Sequence, residues 1–416
     1  MTASGSASEQ GHVASDAGSE AGSAATRVVA VSALCLGLGA SLGFIPGFIA
    51  TTLRDDLGIS RGQVGLLVSL HFGCTGLGSI LGGRLTEAFG ARIVIVADMV
   101  IVAVAAAFGA AIGSYWALLV VAVAAGAAYS LVNAGTNVAI GRSVPATQRT
   151  MAMSIKTAGV PLMAVVAAGA GPFVAAEFGW RVILVATACL AGAASVLATV
   201  TFHDDRPTSV TPRTKAALPP GFHWFPIGAF LLIAGSQPLY SWTVAYLEQS
   251  LDASPVLAGG ISAGASACGV MIMIASARVA DREGPEARLR RLIMLIAINC
   301  ASTLLVLAGA WIGVAVVAVG VVIGIGVQLA AIGTMHAAVV DRAPRAVARA
   351  TGVTMTGYYI GALASPAAFG ALVDATDTFA WGWGVTAALL VVAVPVWALA
   401  GRTPTRPQAS GRTVPI

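Results

Sequence analysis

Apolar stretches of about twenty residues alternate along the chain with short segments that carry charges, glycine or proline. Because a helix rises about 1.5 Å per residue, such a stretch crosses the hydrocarbon core of a membrane, which is about 30 Å thick. Twelve stretches of this kind predict an all-α integral membrane protein with twelve spanning helices. Predicted helices 1 to 12 cover residues 28–50, 62–82, 93–112, 115–138, 151–174, 181–201, 225–246, 257–277, 293–310, 313–337, 351–372 and 381–400.

The polar segments divide the chain into two helical halves. Residues 203–224 form the one long internal polar stretch and contain four prolines. We therefore predict a linker there, between a six-helix bundle at 27–202 and a second one at 225–401. Residues 1–26 are rich in Ser, Gly and Ala and predict a disordered tail, and 402–416 predict a second tail. The first tail lacks the basic start of a secretory signal.

Composition and charge agree with a membrane protein. Hydrophobic residues make up 57% of the chain and charged residues 10%, whereas soluble proteins carry about 25% charged residues. The net charge of +5 has two interpretations, a nucleic-acid partner or basic cytoplasmic loops. Nineteen of the 23 Lys and Arg residues fall on the side of the N-terminus, and only Arg54, Arg61 and Arg181 fall on the other. The positive-inside rule therefore predicts cytoplasmic termini and no nucleic-acid partner. Arginine outnumbers lysine 21 to 2, which suggests a GC-rich bacterial genome and therefore a bacterial inner membrane.

The second half of the chain repeats the first. The segment GGRLTEAFGAR at 82–92 follows predicted helix 2, and ARVADREG at 277–284 follows predicted helix 8, at an offset of 194 residues. Further along, GTNVAI at 135–140 parallels GTMHAA at 333–338, at an offset of 198. A slowly drifting offset is typical of two duplicated halves.

The loop at 82–92 resembles the signature between helices 2 and 3 of the major facilitator superfamily, Gly-x-Leu-Ala-Asp-Arg-x-Gly-Arg-Arg. Leu85 and Phe89 also fit, while two basic positions are lost to Ala88 and Ala91, and the second copy has Ala277 for the first glycine. The resemblance implies two pseudo-symmetric six-helix halves and transport by alternating access. It also implies that the loop latches the cytoplasmic face, although the same loop could serve only to fix topology. The implied gating residues are Gly83, Glu87, Gly90, Arg92, Asp281, Arg282 and Gly284.

Two signatures of the family's efflux pumps are absent or reduced. Predicted helix 4 contains no arginine, and the Gly-Pro-x-x-Gly-Gly run of helix 5 is reduced to Gly171 and Pro172. Both differences weaken the interpretation of the protein as a drug exporter.

Apart from Arg181, the first residue of predicted helix 6, Lys156 is the only Lys or Arg inside a predicted span. A charge at the centre of a membrane helix costs about 2.5–3.5 kcal/mol, so an intramembrane charge is a functional candidate. The resemblance implies that helix 5 borders the central cavity, where an ammonium group would attract an anion. The alternative is that the side chain extends to the membrane surface along its apolar stem. Thr356 is its counterpart in the second half.

Other polar residues at membrane depth have two interpretations each. Asn133 and Asn137 share a helix face and either bind substrate or join helices. His71 either titrates during transport or is a satisfied core residue. Asp98 lies on a helix that the family places peripherally, and we predict a structural ion pair for it. Pro238 predicts a local break that would expose carbonyl groups of helix 7. The remaining predicted lining residues are Gln237, Tyr240, Gln328, Tyr358 and Tyr359.

We therefore predict a secondary transporter for a small organic solute, an anion such as a carboxylate, coupled to protons and acting as a monomer. The alternative is proton-driven efflux of drugs or other lipophilic compounds. No nucleophile–base pair or ligand cluster at membrane depth points to an enzyme or a metal, and no cofactor is predicted. The five cysteines fall in apolar stretches and are interpreted as small buried hydrophobic residues. The chain contains no Gly-x-x-x-x-Gly-Lys loop for ATP.

Overall fold

The computed structural model of the protein describes residues 5–145, 148–203, 217–280, 282 and 284–402. In these ranges the chain forms thirteen helices and no strand. They are α1 (Gly5–Phe48), α2 (Ala50–Leu57), α3 (Arg61–Phe89), α4 (Ala91–Ile112), α5 (Tyr115–Ser143), α6 (Arg149–Phe178), α7 (Trp180–Thr201), α8 (Trp224–Leu251), α9 (Pro255–Ala280), α10 (Pro285–Ile312), α11 (Val314–Arg342), α12 (Val347–Thr376) and α13 (Phe379–Gly401).

The predicted twelve-helix architecture is confirmed. Predicted helix 1 corresponds to α1, and predicted helices 2 to 12 correspond to α3 to α13. The short helix α2, in the loop between the first two spans, was not predicted. Most helices extend a few residues past the predicted ends, because polar residues continue a helix beyond the apolar run that spans the membrane. The tail and linker boundaries stay predictions, since 204–216 and 403–416 lie outside the described residues and α1 already begins at Gly5.

In the described part of the chain, nine helices are long and apolar enough to cross a membrane. Helix α3 meets the same criterion when its two segments, Arg61–Ser79 and Leu81–Phe89, are counted as one span. The angle between the two segments is 54°. The two long helices outside that set, α8 and α12, have polar residues near mid-length, Gln237 and Tyr358 among them. Both of these helices carry candidate lining residues.

The chain forms two compact units whose boundaries fall inside α1, α3 and α6. Unit 1 contains residues 1–42, 77–164 and 181–210, and unit 2 contains 43–76, 165–180 and 211–416. The division at 203–224 that we predicted separates the duplicated halves of the sequence. The compact units differ from these halves because segments of three first-half helices pack with second-half helices in unit 2.

Unit 1 is held together by close helix packing. At Gly37 on α1 a Cβ atom would lie 2.5 Å from the carbonyl oxygen of Gly159 on α6, so the two backbones are in direct contact. Small residues permit this approach, which favours helix association in lipid. Beside this seam, buried residues of five helices form one apolar cluster around Cys35, Ile95 and Val132.

Unit 2 has a larger core with more aromatic side chains. Phe225 of α8 packs edge-on against Trp397 of α13, with ring centroids 5.4 Å apart. A Cβ atom at Gly357 on α12 would collide with the Pro226 carbonyl, so α8 and α12 also meet backbone to backbone. In the same unit, a Cβ atom at Gly65 would collide with the carbonyl of Pro366, so the N-terminal part of α3 packs tightly on α12.

Candidate functional site

Three of the predicted site residues form one hydrogen-bonded cluster in unit 1. The ammonium group of Lys156 on α6 donates to Oδ1 of Asn133 at 3.0 Å and to Oδ1 of Asn137 at 2.7 Å, both on α5. The lysine side chain is folded into the protein and only 3% of the residue is exposed. The geometry therefore disfavours the alternative in which Lys156 extends to the membrane surface.

This cluster presents hydrogen-bond donors outward. Both amide oxygens are occupied by the Lys156 ammonium group, which leaves the NH₂ group of each asparagine, and lysine has three N–H donors of which two are used. Asn133 is half-buried and Asn137 is exposed. The free groups of the cluster are thus N–H donors beside a positive charge, a combination that suits an anion.

The neighbouring helices explain why the cluster forms. Lys156 lies seven residues into α6, about 10 Å along the helix axis. Three residues later Gly159 lets α6 approach α1 closely, which fixes the position of α6 in unit 1. The asparagines lie four residues apart on α5 and point to the same side, so one ammonium group reaches both.

The other seven predicted lining residues belong to unit 2. His71 is fully buried and its ring packs where a Cβ atom on Gly43 would stand. Thr356 is exposed, and its hydroxyl donates to the carbonyl of Gly352 in its own helix at 3.0 Å. Of the remaining five residues, Gln237 and Gln328 are buried, and Tyr240, Tyr358 and Tyr359 are half-exposed.

The predicted break at Pro238 is wrong. Helix α8 continues without interruption from Trp224 to Leu251, through Pro238. Nearby hydroxyl groups bond to carbonyls of this helix: Ser236 donates to Leu232 at 2.7 Å and Thr243 donates to Leu239 at 2.6 Å. Neither contact reaches the carbonyl of Ala234, which is the one that a proline at position 238 leaves without its helical donor. The helix is buried on both sides of Pro238, so packing against neighbouring helices holds it intact.

The predicted ion pair of Asp98 is also wrong. Asp98 is fully buried on α4, and neither carboxyl oxygen has a hydrogen-bond partner among the described residues. The prediction failed because it assumed that a buried charge must be compensated, whereas a buried carboxyl group can instead be neutral.

A hydrogen-bonded joint in unit 2 was not predicted. The Asp374 carboxylate at the end of α12 accepts the backbone N–H of Arg61 at 3.0 Å and that of Gly62 at 2.7 Å, and its distance to the Arg61 guanidinium is 3.6 Å. Gln249 of α8 accepts from Arg61 at 2.9 Å and from Arg54 at 3.0 Å. We call this group, with Thr51, which accepts from Gln249 at 3.1 Å, the outer joint.

The electrostatics of the outer joint favour the ionised acid. Burial raises the pKa of Asp374, but the backbone N–H groups of Gly62 and Arg61 and the Arg61 charge outweigh it, so the pKa lies below its usual value. The joint therefore keeps its full stability above the ordinary carboxyl pKa of about 3.9 and weakens only as pH falls through the lowered value. The sequence signal was available: Arg54 and Arg61 are two of three basic residues that depart from the positive-inside pattern.

A cavity of about 590 Å³ lies next to the outer joint in unit 2. Its lining includes three carboxyl groups, those of Asp55, Asp56 and Glu248, together with Thr51 and Thr52. Asp56 accepts a hydrogen bond from the indole of Trp180 at 2.7 Å. None of the ten predicted substrate-binding residues lines it, and its acids would repel an anion.

The structure describes the first copy of the loop motif more completely than the second. In the first copy, neither Glu87 nor Arg92 makes a hydrogen bond or ion pair with another described residue, and Gly83 has open space around it. In the second copy Asp281 lies outside the described residues and Arg282 is exposed. The latch role of these residues stays a prediction.

Other charges join the helix ends that follow the second copy. Arg288 of α10 pairs with Asp341 of α11 through two contacts of 2.8 and 2.9 Å. Arg342 is 4% exposed and donates to Glu286 at 3.0 Å and to the Gly401 carbonyl at 2.9 Å. Sequence reasoning counted both arginines only as markers of the cytoplasmic side.

The glycines Gly90 and Gly284 give a matched pair for mutation. Each precedes the first residue of the helix after the motif, yet Gly90 has φ of +87°, whereas Gly284 has φ of −76°. An L-residue at Gly90 is strained by about 1–3 kcal/mol, and at Gly284 it is not. We expect Gly90→Ala to lower the transport rate with little change in substrate affinity, and Gly284→Ala to leave both near wild type. Equal rates for the two variants in proteoliposomes would contradict a conformational role for Gly90.

Comparison with known proteins gives the family. The family model "Major Facilitator Superfamily" matches residues 29–366, most of the chain. This protein belongs to the major facilitator superfamily. Family membership makes it a multi-pass membrane transporter, and it confirms the resemblance stated from the loop motif.

Relatives and solved structures agree with this assignment. This protein is 26% identical over 386 residues to "Probable nitrate/nitrite transporter NarK2" of Mycobacterium tuberculosis. The match covers 88% of this chain and 93% of the mycobacterial protein. A bacterial homolog of the human lysosomal transporter Spinster, inward-facing and occupied, has a TM-score of 0.73 at 16% identity, covering 91% and 97% of the two chains. A D-xylose–proton symporter has a TM-score of 0.70 at 14% identity, covering 92% and 99%. At these identities the two structures show the fold alone.

Proposed function

We propose that this superfamily member moves a small anion across the bacterial cytoplasmic membrane by alternating access, coupled to protons. The observation that carries the proposal is the buried ammonium group of Lys156, held by two amide oxygens that leave only N–H donors free. An anion that enters a cavity of low dielectric constant loses hydration. A fixed positive charge offsets that loss far better than neutral amides do.

The chemistry of the cluster limits the size and type of the anion. One ammonium group and two amides, within reach of each other, match a planar group with two or three oxygens, such as a carboxylate, nitrate or nitrite. The mycobacterial relative is named a probable nitrate/nitrite transporter, which supports the inclusion of inorganic oxyanions. A lipophilic cation would meet repulsion from Lys156, so the export of cationic drugs is disfavoured.

Uptake into proteoliposomes tests the proposal. Purified protein is reconstituted, and uptake of nitrate, nitrite, small carboxylates and a cationic drug is measured with and without an inward proton gradient. We expect uptake of at least one anion, accelerated by the gradient, and none of the cation. Uptake of the cation alone would overturn the anion assignment and favour efflux.

The basic asymmetry supports an orientation with both termini in the cytoplasm. In a cysteine-free background, a cysteine at position 215 should then react only after the membrane is permeabilised. Its modification by an impermeant reagent outside intact cells would contradict this orientation.

A further inference from the structure

Asp98 is a buried acid that the lysine cluster does not use. It lies on the second turn of α4, is 0% exposed, and has no hydrogen-bond partner for either oxygen among the described residues. The neighbouring buried positions of the same helix are apolar: Ile95, Met99 and Val102. An apolar residue would occupy this position without the cost of burying a polar group.

The surroundings of the carboxyl group contain no compensating charge in the described part of the chain. On α1, Cys35 lies within electrostatic range, and a Cβ atom on Gly39 would stand 3.1 Å from Oδ2 of Asp98. The ring of Tyr129 on α5 borders the same point, because the Cβ atom on Gly39 would also lie 3.1 Å from Cδ2 of Tyr129.

The other elements near this point add no charge that pairs with Asp98. Helix α7 contributes Ala194 and Ala198 to the surrounding apolar cluster. The charged group of α6 is Lys156, whose ammonium group bonds to the two asparagines of α5 rather than to the acid. On α4 itself, Arg92 lies at the helix start, six residues away.

An ionised carboxylate in this environment would be strongly unfavourable. A charge buried without partners costs several kcal/mol even after relaxation, so such a group takes up a proton and becomes neutral. In the packed arrangement of α1, α4 and α5, the side chain is therefore a carboxylic acid. If the helices part and water reaches it, the carboxylate is solvated and the proton leaves to water.

We propose that Asp98 is the proton-binding residue of this transporter, carrying the proton as a carboxylic acid while the site is dry and releasing it when the site is wet. The proposal rests on the proton coupling proposed above. It needs no oxidant or other reactant, because one O–H bond forms on loading and the same bond breaks on release.

Helix α5 connects this residue to the lysine cluster. Tyr129, Asn133 and Asn137 are spaced four residues apart and lie on one side of α5. The first borders Asp98, and the other two hold Lys156. A displacement of α5 relative to α1 and α4 therefore changes the environment of the proton site and of the anion site together. If one proton and one monovalent anion move together, no net charge crosses the membrane.

The substitution Asp98→Asn tests the coupling. A gradient of about one pH unit supports about tenfold accumulation if one proton accompanies each anion. We expect the variant to lose this accumulation but to retain exchange of labelled for unlabelled anion. Asp252→Asn makes the same change on an exposed acid at the end of α8, and it should accumulate like wild type. Asp98→Leu should also fold, and like Asp98→Asn it should exchange the anion without accumulating it. Accumulation by either Asp98 variant at the wild-type level would overturn the proposal.

A second measurement separates this proposal from the choice of substrate. Infrared difference spectra across a pH titration report the C=O stretch of a protonated carboxyl group without any transport. We expect a band in the wild type that is missing in Asp98→Asn and present in Asp252→Asn. If no tested anion is transported but the band behaves this way, the anion assignment fails and the proton site stands. A band unchanged in Asp98→Asn would overturn the proton site.

Discussion

Replacing Lys156 with alanine should abolish binding of the transported anion. The substitution removes the one buried cation of the cluster and leaves two amide oxygens of α5 without their donor. Loss of one partner of a buried, hydrogen-bonded charge pair costs about 2–5 kcal/mol, which weakens affinity roughly 30-fold to several thousand-fold. The dissociation constant of whichever anion the proteoliposome screen identifies, measured by calorimetry on purified protein, checks the expectation.

Two further substitutions at this position distinguish charge from packing. Lys156→Met keeps the length of the side chain without its charge, so it should bind as poorly as the alanine variant. Lys156→Arg keeps the charge but replaces a point charge by a planar fork, so we expect partial binding with altered anion selectivity. Wild-type affinity in Lys156→Met would show that the lysine only fills space, and the anion proposal would then fail.

Replacing Asp374 with alanine should loosen the outer joint. The carboxylate accepts two of the N–H groups at the first turn of α3, and the next one, that of Gln63, is accepted by the Ser60 hydroxyl at 3.2 Å. Hydrogen bonds to a charged group contribute about 1.5–3 kcal/mol, and the variant leaves two N–H donors at the start of the helix without this acceptor. Alternating access requires the two halves to separate on the outer side, so the variant should spend more time open there.

A reporter cysteine at Ser69 makes this measurable. Ser69 is fully buried two turns further along α3, and its hydroxyl accepts the backbone N–H of Ala367 at 3.1 Å. In a background without other cysteines, Ser69→Cys should react with an impermeant thiol reagent from outside about tenfold faster or more when combined with Asp374→Ala. Glu177→Ala, which removes an exposed acid from the end of α6, is the matched control and should leave the rate unchanged. Equal rates in all three proteins would mean that Asp374 does not hold the outer side closed.

The helical architecture was predictable because lipid allows few alternatives. A segment in the membrane must satisfy its backbone internally, so apolar length alone indicates a helix, and the twelve predicted spans all correspond to helices. The shared face of Asn133 and Asn137 was also predictable from helical periodicity, whereas their hydrogen bonds to Lys156 were not predicted. What sequence reasoning could not supply was the choice between interpretations, such as a lysine folded inward rather than extended to the surface.

The failures share one physical origin, which is that tertiary contacts decide the state of a polar group. For Asp98 the sequence shows an acid in an apolar helix, but whether it is paired depends on which helices surround it. The break expected at Pro238 is absent because the helix is buried on both sides of the proline, where packing against neighbouring helices keeps it intact. The outer joint links residues more than 300 positions apart, a pairing that no local pattern contains.

The way in which Asp374 binds α3 has a consequence for evolutionary comparison. Its two shortest contacts are to main-chain N–H groups, which every residue except proline supplies. Substitutions at positions 61 and 62 can therefore accumulate without loss of these bonds, whereas position 374 cannot change freely. A search for co-varying side-chain pairs across relatives would miss such a gate. An acid retained at the end of this helix, opposite a variable helix start, is the pattern that would reveal it.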